Sequence, residues 1–297
     1  MRVLVTGASG QVGGAIAAHL AAEGHGVVGL SRRSAELASI ASVQVDIGAP
    51  QAADEMAELA PRCDAIVHAA AAVTQDPHDP AVSLTNCLGT QQLISLAERW
   101  QAERFVYISG VPVIGRPLHV PVTEEHPPAP LTAYTASKLY GEYLVGLAER
   151  RGMSATSLRI TAPVGPGTPP HRIVAVFVRR AIAGQALEVL GEGSRRQDYV
   201  DVRDVAAAVD GCLGNDARGV FNVARGEAIS NLELAHTCVR VLDSSSGVES
   251  GARPDPEEGI AWEVSIARAG AELGYAPRHG IEDSIRAVAA EVGQPGG

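Results

Sequence analysis

MRVLVTGASGQVGGAIAAHLAA, residues 1–22, passes from a short β-prone run (Arg2–Thr6) through a turn bearing Gly7, Gly10 and Gly13 into an Ala-rich stretch of helical texture, Gln11–Ala22. A glycine turn between strand and helix lets backbone approach a ligand closely. The free N–H groups and positive dipole end of the helix behind it attract a pyrophosphate. On this reading Gly7, Ser9, Gly10, Gln11, Val12 and Gly13 form the phosphate cradle of a dinucleotide site.

Outward from that unit the same alternation continues. Residues 26–30, 43–45, Ala65–His68, 105–109 and Ser154–Ile160 read as further strands, and 82–100 and 133–149 as helices. Strands joined by helical crossovers form a parallel sheet covered on both faces, so the fold class is α/β, a Rossmann-type doubly wound parallel sheet. Pro163, Pro166, Gly167, Pro169 and Pro170 then interrupt regular structure and mark an excursion into a smaller C-terminal substrate lobe. Gly219–Val223 is apolar enough to return to the sheet. The dinucleotide-binding domain is therefore expected at 1–163 plus about 200–224, and the lobe at 164–199 plus 225–297. The Ser-, Gly-, Pro- and acid-rich stretch 243–258 reads as an exposed loop.

Composition narrows the function. Lys plus Arg number 24 against 34 Asp plus Glu, a net charge of −10, which disfavours nucleic acid as a partner. No window reaches the roughly 18 consecutive apolar residues of a membrane span. The N-terminus lacks the apolar region and cleavage site of a signal peptide, so a cytoplasmic protein acting on a small molecule is expected. Cys63, Cys87, Cys212 and Cys238 are far apart and read as buried thiols. His78, His119, His126 and His171 show no paired spacing, so no metal is expected.

At the end of the second strand a carboxylate would bind the adenosine ribose hydroxyls and repel a 2′-phosphate. Ser31, Arg32 and Arg33 stand there instead, which favours NADP with NAD as the other choice. Asp46 follows the third strand, where it is placed to meet the adenine edge. Tyr134 and Lys138, four residues apart on one helix face, form a proton-exchanging pair, because an ammonium group and a positive nicotinamide ring beside a phenol favour its ionised form.

The marks TGASGQVG (6–13), IVHAAA (66–71), Asn86 with Gly89 and Thr90, FVYISG (105–110), YTASK (134–138), LRITAPVGPG (158–167), QDYVDVRDVA (197–206) and GVFNV (Gly219–Val223) together resemble the extended short-chain dehydrogenase/reductases. That group contains the NAD-dependent epimerase/dehydratase proteins. The resemblance implies Tyr134 as acid/base, Lys138 as the holder of the nicotinamide ribose, and Ile47, Ala69, Ala70, Ala71, Asn86 and Thr161 as further cofactor contacts. It also implies a substrate cleft containing Thr74, Gly110, Pro112, Pro163, Arg172 and Arg196, and a homodimer face on the 82–100 and 133–149 helices. His68 receives no role.

The departures from the pattern are as informative. Similar proteins carry a Ser or Thr that polarises the substrate oxygen. Anchored on Gly115, that position is Gly110 here, leaving Ser109 as the candidate hydroxyl. Sugar dehydratases place two carboxylates next, where this chain has Val111 and Pro112, so dehydration is not expected. Ala162 and Gln197 replace an Asn and an Arg that hold a diphosphate in nucleotide-sugar enzymes, with Arg195 or Arg196 as substitutes. The resulting expectation is an NAD(P)(H)-dependent oxidoreductase acting on a secondary alcohol or ketone. The alternatives are an epimerase that retains its cofactor and a non-catalytic NADP-binding sensor.

Overall fold

The computed structural model describes residues 1–32, 40–74, 76–251 and 253–293. Seven strands form the central sheet: β1 (Arg2–Thr6), β2 (Gly26–Ser31), β3 (Ala41–Gln44), β4 (Ala65–His68), β5 (Arg104–Gly110), β6 (Ser154–Ile160) and the later β10 (Gly219–Val223). They lie in the order β3-β2-β1-β4-β5-β6-β10, every neighbouring pair parallel. All residues of β4 and β6 are buried, as strands covered on both faces must be. The strand order reverses between β1 and β4, and a crevice opens above their C-terminal ends, where doubly wound sheets take ligands.

One face is covered by α1 (Gln11–Ala22) and α6 (Val202–Gly214), whose Ile16, Leu20, Val205 and Val209 pack with Val5, Val67, Val106 and Leu158 of the sheet. The other is covered by α2 (Ala52–Leu59), α3 (Gly89–Trp100) and α4 (Ala133–Arg150). The 82–100 segment is not uniform: Val82–Leu88 forms a π-helical stretch that turns Asn86 inward before α3 begins. The start of α4 is fixed by a capping box, in which Thr132 Oγ1 accepts from the Thr135 amide and Thr135 Oγ1 accepts from the Thr132 amide.

The excursion after β6 builds the lobe. It contains β7 (Ala162–Val164), α5 (Ile173–Ile182), β8 (Leu187–Val189), β9 (Arg196–Asp201), β11 (Ala228–Ser230), α7 (Asn231–Val241) and β12 (Val248–Ser250). Strands β11, β9 and β7 form one small sheet, and β12 and β8 another. After α8 (Ala267–Leu273), α9 (Ile281–Val292) returns to the lobe, where its Ile285 and Val288 join Phe177, Val178 and Leu234 in a separate core. Residues 269, 273 and 275, inside the stretch assigned to the lobe, pack instead against α6 and the main sheet. The stretch read as an exposed loop supplies β12, which pairs with β8, and its Ser246 and Asp255 are buried. No helix among the described residues is long and apolar enough to cross a membrane.

Candidate active site

The crevice is built on the glycine turn. Gly7 closes β1 with φ +70° and donates its N–H to Leu30 O, and a Cβ there would lie 2.8 Å from Ala70 N. A Cβ on Gly13 would stand 2.2 Å from Gly7 O, so turn and helix can pack only with glycine at both positions. No side chain caps α1 and no acid occupies its first turn, so the N-terminal amides remain available to an anion.

Two connected hollows flank this turn. One, about 500 Å³, is lined by Ser9, Arg32, Asp46, Ile47 and Ala70 among others. The second, about 440 Å³, is lined by Gln11, Val12, Gly13, Tyr134, Lys138 and Thr161 among others. Gly7, Gly10, Ala69 and Ala71 border both, which makes them halves of a single cleft that runs across the turn.

At the far end of the first half Asp46 accepts the Gly48 amide at 3.0 Å, and exposed Arg32 lies at the rim. Ser31 is buried and is not among the residues lining either half, and Arg33 lies outside the described residues. Thr74, expected beside the substrate, lines this first half, its Oγ1 accepting the Asp76 amide.

Asn86, expected to touch the cofactor, lines neither half. Its Oδ1 accepts Ala72 N at 2.7 Å, and its Nδ2 donates to Ala72 O at 3.0 Å and Ser137 Oγ at 2.9 Å. With its amide spent, it ties the loop after β4 to α4. Beneath that loop the buried His68 is fully paired. Thr90 Oγ1 donates to Asn86 O at 2.6 Å, so it must accept from His68 Nε2, which leaves Nδ1 to accept from Thr6 Oγ1. Burial, aided by the Lys138 charge, pushes the imidazole down to about 3.

Helix α4 carries Tyr134 and Lys138 to the opposite end. Lys138, 4% exposed, donates Nζ to Ile108 O at 2.8 Å and stands 4.9 Å from the Tyr107 ring centroid and 6.0 Å from that of Tyr134. Burial lowers its pKa to about 8, with the Glu142 carboxylate one turn away pulling it back up. Burial also raises the Tyr134 phenol above its usual value, opposed by Arg172. In the chain by itself desolvation prevails for the phenol, and the cation acting against it comes from the lobe.

Ser109 borders the cleft, but its Oγ donates at 2.6 Å to Glu142 Oε1. Glu142 is locked in turn to Arg159, Nε to Oε1 at 3.0 Å and Nη2 to Oε2 at 2.8 Å, both side chains 6% exposed. A hydroxyl that gives its one proton to a buried carboxylate has none for a substrate oxygen. Gly110, Pro112, Pro163 and Arg172 line the catalytic half as expected, and Thr161 does so while donating its hydroxyl to buried Asp198. Arg196 does not line it: it pairs with Glu233 and Glu263 and donates to Ala228 O. Its neighbour Arg195 takes that place beside Gln197 and Trp262. The alternation of β9 decides which arginine faces the cleft, and that phase was not legible without the strand's start. Trp262 arrives from a distant loop and no local pattern signals it.

The sequence profile of the NAD dependent epimerase/dehydratase family matches residues 3–224. The chain belongs to that family. It is an enzyme of the extended short-chain dehydrogenase/reductase type, as its family relatives are. It is 34% identical over 260 residues to UDP-glucose 4-epimerase of Mycolicibacterium smegmatis, covering 80% of this chain and 82% of that one. It is 32% identical over 228 residues to dTDP-glucose 4,6-dehydratase of Streptomyces niveus, covering 75% and 68%. Among solved structures, UDP-glucose 4-epimerase of Thermus thermophilus in complex with NAD superposes with a TM-score of 0.84 at 26% identity, covering 98% of both chains.

Proposed function

We propose that this enzyme transfers a hydride between a nicotinamide dinucleotide and the secondary alcohol or ketone carbon of a small molecule, with Tyr134 exchanging the proton on the oxygen. The observation that carries the reading is the convergence of Tyr134 and Lys138 on one cleft with the glycine turn. The residues present fit the cofactor: the amides of α1 face where its pyrophosphate would lie, and Gly7 and Gly13 leave room that a side chain would fill. The bound nicotinamide supplies or accepts the hydride.

The chain's own residues handle the proton and the orientation. In the reducing direction the phenol raised by burial is the proton donor, and the substrate oxygen becomes a hydroxyl. Lys138, tethered to Ile108 O, keeps two further N–H bonds for the nicotinamide ribose and the phenol oxygen. Val111 and Pro112 line the same region and offer no acid or base, so the scheme contains no elimination of water.

For the cofactor, NAD is supported by the solved relative in complex with NAD and by the Asp46 and Asp79 carboxylates in the adenosine half, while NADP is the second reading, favoured by Arg32. For the reaction, the alternative of epimerisation with retained cofactor is favoured by the Mycolicibacterium relative. Mass spectrometry of the denatured protein separates the two: a stoichiometric dinucleotide surviving purification indicates epimerisation. Exposed Tyr140, Tyr143 and Leu147 on α4 support a homodimer, to be read by light scattering.

The catalytic assignment is tested with Tyr134→Phe. Cofactor affinity should stay within about twofold while turnover falls by about 10²–10⁴, and full turnover in that variant contradicts the proposal.

A further inference from the structure

Lys138 is the only lysine of the sequence, and every other of the 24 Lys and Arg residues is arginine. Its side chain is buried, and among the described residues its ammonium has one hydrogen bond, to Ile108 O at 2.8 Å. A charge so enclosed is ordinarily paired with a carboxylate. Glu142, one turn along α4, is committed elsewhere: it accepts Arg159 Nε and Nη2 and the Ser109 hydroxyl. What the ammonium meets instead is aromatic. The Tyr107 ring centroid lies 4.9 Å away, nearer than that of Tyr134 at 6.0 Å.

Tyr107, on β5, lies beneath the cleft: it is 1% exposed and lines neither half. Its hydroxyl has no hydrogen-bond partner among the described residues. Nearby Thr90 Oγ1 already donates to Asn86 O and accepts from His68 Nε2. An enclosed phenol without an acceptor opposes folding, so what the position gains is the ring. Helix α4 is shaped to lie on that ring. Gly141 stands inside it, where glycine is disfavoured, and a Cβ there would come within 2.4 Å of Tyr107 Cζ and Oη. The other titratable groups around ring and ammonium are His68 on β4, kept neutral by burial, Cys87 of the π-helical stretch, and Tyr134 and Glu142 on α4, with Arg159 of β6 behind Glu142.

We propose that Tyr107 is a positioning residue for the hydride-transfer site: its ring face carries the Lys138 ammonium, and the Gly141 contact sets the height at which that ammonium meets the ribose and the Tyr134 phenol. This rests on the role given to Lys138 above and deepens it. A ring face is negative at its centre, so it stabilises a desolvated cation without taking up its N–H donors. A carboxylate in the same place would hold the charge but would occupy a donor that the ribose needs. The choice of lysine follows from the same geometry. A compact ammonium is satisfied over a ring beside one carbonyl, whereas a planar guanidinium would bring five donors to a place with one acceptor. A chain that uses arginine at every other cationic position thus keeps lysine at this one.

The test is NMR of the full chain grown with 13C-labelled lysine, in which Lys138 supplies the single lysine side-chain signal. In the parent its ε-methylene protons should lie upfield of those in the urea-unfolded chain, because they sit over an aromatic face. Tyr107→Phe should keep that displacement and leave the Lys138 pKa unchanged. Tyr107→Leu should lose it and lower the pKa by about one unit, the size of a desolvated cation–π contact. Gly141→Ala pushes the ring away from α4 and should move both readings in the same direction, which decides the matter if the leucine variant does not fold. A ring that only fills space leaves the titration of Lys138 where it was. The proposal is overturned when the parent signal shows no upfield displacement, or when Tyr107→Leu and Gly141→Ala titrate like the parent. NAD added to the same samples separates the two ideas: a Lys138 signal unmoved by saturating NAD strikes its ribose-holding role, whereas the variants compared without cofactor still decide the role of the ring.

Discussion

The two halves of the cleft are made of different material. Around the glycine turn the walls are backbone: Gly7, Gly10, the amides of α1 and the Ala69–Ala71 run, all set by the C-terminal ends of β1 and β4. Around Tyr134 the walls are side chains drawn from α4, β5, β6, the lobe and the loop carrying Trp262. Backbone walls tolerate almost no change at a few positions and little depends on the rest. Side-chain walls depend on buried networks that hold each group from behind. A cofactor common to many enzymes suits the first kind, and a substrate particular to one suits the second.

The largest effect should come from breaking the backbone half. Gly13→Val places carbon where Gly7 O lies, 2.2 Å away for the first atom alone, so dinucleotide binding by calorimetry should be lost. Retained binding in that variant means that the turn does not hold the cofactor.

The side-chain half should break at its support. Glu142→Gln leaves Arg159 as an unpaired buried cation and removes the acceptor of Ser109, so stability in urea unfolding should fall by about 3–5 kcal/mol. A smaller change, within about 0.5 kcal/mol, means that the pair supports nothing.

The third effect is in pH. Burial depresses Lys138, so its ammonium is present below about 8 and is lost as pH rises through that value. If that charge is needed, kcat/KM should decline above about 8. The sign for stability is opposite: the unfolded chain holds this proton up to the ordinary Lys value, so the cost of burying the charge fades as pH rises between the two. A profile flat through this range contradicts a charged role for Lys138. The smallest effect belongs to the rim of the cofactor half, where Arg32→Ala should lower the NADP-to-NAD affinity ratio by a few-fold. An unchanged ratio removes Arg32 from cofactor choice.

The same contrast explains what the sequence disclosed. The bounds of β1, α1, β4, β6 and β10 were readable to the residue, because a buried parallel strand is a short apolar run and its crossover helix has a glycine or polar start. The lobe was not, because β7, β8, β11 and β12 have three residues each and are specified by partners far along the chain. Among site residues, the glycine turn and the Tyr134–Lys138 pair are local patterns. Ser109, Asn86 and Arg196 went elsewhere because Glu142, Ala72 and Glu233 claim their polar atoms, and no spacing rule reveals a claim made by a residue 14 to 37 positions away.

One crystal structure of the protein soaked with NAD tests the central claim most directly. The account predicts the pyrophosphate against the amides at the start of α1 and the nicotinamide ring within reach of the Tyr134 hydroxyl, with the Lys138 ammonium on its ribose. A dinucleotide bound away from the glycine turn, or a Tyr134 side chain facing out of the cleft with the cofactor in place, would contradict it.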